Sequence, residues 1–107
     1  MADLPDRLPL PWHWDDVDLT PQLRRELPQG HILYNKKLRS VGRRQDNDDA
    51  LFELEDDENK YAVVHLTWSQ KQSTDINYPK TKLYKSFQTL LKEKILADHE
   101  GWENEQY

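Results

Sequence analysis

Cysteine is absent from this chain of 107 residues. Its absence excludes a disulfide framework, a thiolate metal site and a cysteine nucleophile together. Long apolar runs are missing too, and none approaches the ~20 residues needed to cross a bilayer. The start of the chain, Met1 to Asp6, shows no basic region followed by an apolar stretch, so no signal peptide is expected and a cytoplasmic address follows by default. An excess of positive charge is also lacking. The net charge of −5 disfavours nonspecific binding to nucleic acid or to an anionic membrane. No nucleotide, catalytic or metal motif stands out.

What remains is a heavily charged chain with a modest core. Hydrophobic residues make up 36% and charged residues 33%, a balance that leans toward disorder. Four Trp, five Tyr and two Phe argue against disorder, because disordered chains are poor in aromatics. The length suits one domain over 1–107 and leaves too little chain for a second core.

Residues 1–18 carry Pro5, Pro9 and Pro11, then Trp12, His13 and Trp14, then Asp15, Asp16 and Asp18. Proline at this density resists helix, so an extended arm is expected, packed on the body by its tryptophans. Those two rings form either a core lid or a ligand-stacking pair. Thr20-Pro21 reads as a helix start with Thr20 as cap, Leu23 and Leu27 on one face, and Pro28-Gln29-Gly30 as the stop. From Ile32 the period changes to two, predicting strands over 32–34, 38–44, 50–55 and 60–68, the last two joined by an acidic turn at 56–59. Residues 81–98 show the helical period, with Leu83, Phe87, Leu90, Leu91 and Ile95 on one stripe, and 102–107 read as a frayed tail. The expectation is an α+β fold: an antiparallel sheet of about four strands packed against a C-terminal amphipathic helix, with a short N-terminal helix. The apolar set Ala62, Val64, Leu66 and Trp68 is expected to meet that helix. The set Tyr61, Val63, His65 and Thr67, with Arg39, Val41 and Arg43, is expected on the other face.

Few residues suggest chemistry. His65, with Glu53 expected near it across the hairpin, forms a weak general acid–base candidate, since a carboxylate can set the tautomer of a histidine. Against it stands an ordinary amphipathic side chain on a half-buried sheet, and nothing supplies a nucleophile. The four histidines are scattered, and Asp46-Asn47-Asp48-Asp49 lacks the glycine and glutamate of a calcium loop, so no metal and no cofactor are expected.

Charge, by contrast, is segregated. Lys36, Lys37, Arg39, Arg43 and Arg44 form a basic block, followed by an acidic one that ends in Glu55, Asp56, Asp57 and Glu58. Pairing across neighbouring strands is the structural reading. The functional reading makes either the four acids a patch for a basic partner or Arg39, Arg43 and Arg44 a phosphate contact. The lysines of the C-terminal helix point to a surface-lying element, but its stripe is needed to close the sheet.

Asp48 to Phe52 followed by Tyr61 to Trp68 is similar to small bacterial proteins of uncharacterised function. The resemblance covers the middle third of the chain, implies a bacterial source and brings no activity. The function expected is a non-enzymatic acidic interaction module, inhibitor-like or immunity-like, binding a basic protein partner. The alternative is a small enzyme or ligand-binding protein using His65 and Glu53 on the open sheet face. Partner identity and oligomeric state are not encoded in these patterns.

Overall fold

The computed structural model describes residues 4–55 and 57–104, the last two by backbone alone. In chain order the elements are β1 (Trp12–Trp14), α1 (Thr20–Glu26), β2 (Lys37–Arg44), β3 (Asp49–Glu55), β4 (Tyr61–His65) and β5 (Thr81–Tyr84). A C-terminal helix follows, made of α2 (Phe87–Leu90), a π-helical stretch (Leu91–Ile95) and α3 (Leu96–Asn104). The fold is α+β. The five strands form an antiparallel sheet in the order β1-β2-β3-β4-β5, one strand more than the sequence suggested.

Three local expectations are corrected. Residues 32–34 are not a strand but successive turns: Pro28 O accepts from His31 N–H, His31 O from Tyr34 N–H, and Leu33 O from Lys36 N–H. The left-handed conformations of Gly30 and Asn35 bracket this coil, and both residue types tolerate positive φ. Residues 81–84 are not the first turn of the helix but an edge strand that supplies the backbone partners β4 needs on its far side. The helix starts at Phe87, where the Ser86 hydroxyl accepts from Thr89 N–H at 3.1 Å, and it continues through Asn104, beyond the expected end at 98. Finally, Leu19 rather than Thr20 caps α1, and the Asp18 carboxylate accepts from Thr20 N–H at 3.0 Å.

The faces of the sheet are the reverse of the expectation. Ala62, Val64 and Leu66, with Phe52 and Leu54, pack against Leu19, Leu23 and Leu27 of α1 and against Leu33. Tyr61 and Val63, with Leu51 and Trp12, pack against Phe87, Leu90 and Ile95 of the C-terminal helix. Leu83, counted above on the helix stripe, lies with the α1 cluster. Both faces are therefore buried, in three layers. The expected meeting of Trp68 with the helix fails because Trp68 lies beyond the end of β4, takes φ 60 and is 41% exposed.

A bulge in β2 is the feature that matters most for the site. Ser40 pairs with Phe52 and Gly42 with Leu51, so Val41 is an extra residue and the side-chain parity changes there. Arg39 shares a face with Glu53 and Arg44 with Asp49, whereas Arg43, opposite Ala50, lies on the α1 side.

Candidate functional site

The register of β3 and β4 decides the fate of the histidine hypothesis. Glu53 stands opposite Tyr61 and Asp49 opposite His65. The expected His65–Glu53 pair does not form. His65 Nδ1 instead meets Asp49 Oδ1 at 2.7 Å, and Glu53 is held by Arg39 at 3.1 Å. Asp49 opens a chain of charges: Lys94 Nζ lies 3.9 Å from it and 3.2 Å from Asp98. Asp98 accepts from the buried Trp12 indole at 2.8 Å and meets Arg44 at 3.3 Å. The Arg44 guanidinium donates two bonds of 2.8 Å to Asp46, which hold that carboxyl below the usual range. Beside this network lies a cavity of about 420 Å³, in which Asp49, Glu93 and Asp98 balance Lys80, Lys82 and Lys94. Burial first, and then the charge of Glu93, pushes the Tyr84 phenol up. Most of these charges answer one another, and the network ties the C-terminal helix to the sheet.

The arginines do not converge. Arg39 is paired with Glu53, Arg44 is consumed by Asp46 and Asp98, and the bulge turns Arg43 to the opposite face. The acidic turn is divided too. Asp57 accepts from Lys36 Nζ at 2.6 Å and from Asn59 N–H at 2.9 Å, and these bonds lower its pKa. Glu55 and Glu58 are exposed, and Asp56 lies outside the described residues. The run 46–49 is engaged internally: Asn47 accepts from Asp49 N–H, and Asp48 from the Trp68 indole. Among the described residues, no group of three or more His, Asp or Glu is placed to hold a metal ion.

A third acidic group, which sequence reasoning passed over, borders a groove of about 700 Å³. The groove lies between the N-terminal arm and β2. Trp14, Leu38, Val41 and Tyr61 are among its apolar walls, and among the described lining residues Asp15, Asp16, Asp18 and Glu53 face one cation, Arg39. Trp14 is fixed by stacking on Phe87, with centroids 6.1 Å apart, and by donating its indole N–H to Pro5 O at 2.9 Å. Asp15 accepts from Val17 N–H at 2.8 Å, so it and Asp18 shape the turn that leads into α1. Hydrogen bonds from the Thr20 hydroxyl and N–H hold the Asp18 carboxyl below the usual range.

No protein-family model, curated protein or solved structure matches this chain significantly.

The only sequence signal for this groove was the adjacency of Trp12–Trp14 and Asp15–Asp18. Its other wall comes from β2 and β3, which no local pattern connects to the arm. No helix among the described residues is long and apolar enough to cross a membrane.

Proposed function

We propose that this protein is an acidic interaction module, of the inhibitor or immunity-like kind, that seats a basic segment of a partner protein in the groove between the arm and β2. The reading is supported above all by the groove lining, in which, among the described residues, four carboxylates face one arginine that is paired with one of them, Glu53. Apolar walls with an acidic rim suit a segment of mixed lysine or arginine and aliphatic side chains. The acidic turn at 55–58 is the weaker candidate for this contact, since Asp57 is already neutralised by Lys36.

The test uses an end-blocked, fluorescently labelled octapeptide of alternating Lys and Val, titrated with the full chain and read by anisotropy. Binding is expected at low ionic strength and should weaken steeply with salt, because charges at the rim are screened over ~8 Å at physiological salt. Asp16→Lys should weaken binding at least tenfold, whereas the double change Glu55→Ser, Glu58→Ser should leave it nearly unchanged. Equal binding by wild type and Asp16→Lys would remove the groove reading. Loss of binding with the turn variant alone would move the contact to the hairpin.

The oriented His65–Asp49 pair favours a second reading, a general-base site at the 420 Å³ cavity. Under that reading, turnover of a panel of ester and phosphodiester substrates should vanish in His65→Ala. The peptide titration should be unaffected by that change.

A further inference from the structure

Among the described residues, the groove contains a stretch of sheet edge whose hydrogen-bonding row is unfilled. β2 spans eight residues, but β1 pairs only with Gly42, Arg43 and Arg44. Leu54 N–H donates to Lys60 O at 2.8 Å, and Leu66 N–H to Asp48 O at 3.1 Å. Both bonds lie in the register that pairs Glu53 with Tyr61, so the even-numbered residues of β3 bond to β4. Its odd-numbered residues must then bond to β2: Glu53 with Arg39, and Glu55 with Lys37. It follows that Leu38 and Ser40 turn their backbone N–H and C=O away from β3, toward the groove.

On that side β1 ends. The last bond of its row runs from Asp15 N–H to Val41 O at 3.1 Å. Two side-chain-closed turns, Asp15 Oδ1 with Val17 N–H and Asp18 Oδ1 with Thr20 N–H, then divert the chain to α1. The diverted segment is met by the Ser40 hydroxyl, which donates to Val17 O at 3.3 Å. Among the described residues, no hydrogen bond outside the sheet reaches the backbone of Leu38 or Ser40. The opposite edge of the sheet, β5, carries Lys82 between Lys80 and Lys85, the usual guard against strand addition.

We propose that the basic segment binds as an added β-strand, in the row that β1 vacates, through the backbone groups of Leu38 and Ser40. This rests on the groove reading and specifies its occupant as an extended chain rather than a helix or a folded basic surface. Backbone bonds supply affinity in this mode, and alternate side chains supply selectivity. One side of the added strand faces Leu38 and Asp18, and the other faces Val41 and Glu53. In a Lys/Val alternation the lysines share one side, where Asp18 or Glu53 can answer them, and the valines share the other, against Val41 or Leu38.

The experiment measures amide hydrogen exchange of the full chain with and without the Lys/Val octapeptide. A second octapeptide of the same sequence carries backbone N-methyl groups on alternate residues. In the free protein Leu38 and Ser40 should exchange quickly while Arg39 is protected. The unmodified peptide should slow exchange at Leu38 and Ser40 at least tenfold, and N-methylation of the edge-facing amides should weaken binding at least tenfold. Equal binding of both peptides with no protection at 38 and 40 would overturn strand addition while leaving charge-driven binding in the groove intact. Failure of both to bind at low salt would overturn the groove reading and this proposal together. Protection of 38 and 40 in the free protein, accompanied by dimer formation in sedimentation, would assign the edge to a second copy and overturn the partner strand.

Discussion

Four hydrogen bonds converge on the buried carboxylate of Glu26, from the Gln22 amide, the Thr67 N–H and hydroxyl, and the Trp68 N–H. They fasten the segment that follows β4 to α1 and hold Trp68 at its positive φ. Glu26→Gln keeps the volume but turns an NH₂ toward backbone donors, so it should cost about 2–3 kcal/mol in urea unfolding. A change below 0.5 kcal/mol, roughly the noise of such a measurement, would refute that role. Among the exposed pairs, Asp46 has its folded pKa lowered by Arg44, so its contribution is present above the unfolded value of about 3.9. That contribution is lost as pH falls through the folded value, below about pH 4. Arg44 stays charged throughout this range and contributes no slope. Asp46→Asn should therefore cost about 0.5 kcal/mol at pH 7 and nothing measurable near pH 2, read from urea midpoints across the range. A loss independent of pH would show that the pair acts through packing instead.

Gly42 carries the attachment of β1. A Cβ there would stand 2.8 Å from the backbone oxygen of His13, so the two strands approach closely enough to exclude any side chain. Gly42→Ala should push β1 off the sheet, costing about 1–3 kcal/mol and raising the exposure of Trp12, visible as a red shift in tryptophan emission. An unshifted spectrum with unchanged stability would show that the arm is held by its other contacts. Within β4, Val64 is fully buried opposite Ala50, and Val64→Asp should cost several kcal/mol by burying an unpaired charge. The hairpin of β3 and β4 was legible because two β-rich runs flank a short acidic turn. The bulge at Val41 was not, since alternation in β2 looks continuous until its partner strand is known.

The whole molecule has two apolar layers separated by one sheet, and adjacent residues of a single strand serve both: Ala62 and Val64 on the α1 side, Tyr61 and Val63 on the helix side. Loss of either layer exposes the sheet that the other requires, so unfolding should be a single transition. Leu23→Ala in α1 and Ile95→Ala in the C-terminal helix should each lower it by about 2–5 kcal/mol, with far-ultraviolet and near-ultraviolet circular dichroism remaining coincident. Separate midpoints would mean that the layers fold independently.

The α+β class, the two leucines of α1, the central hairpin and the apolar stripe of the C-terminal helix from Phe87 onward all follow from patterns within a dozen residues. Such patterns record which side of an element is apolar, and that is a local property. They do not record which layer covers that side. Both strand faces carry apolar residues, so assigning the helix to Tyr61 and Val63 required the connections between elements. The partner of His65 depended on register, which set Asp49 opposite it in place of the expected Glu53. The side on which Arg43 lies depended on a single extra residue. The groove itself is built where β1 stops short of β2, and a missing neighbour leaves no mark on the sequence of either strand.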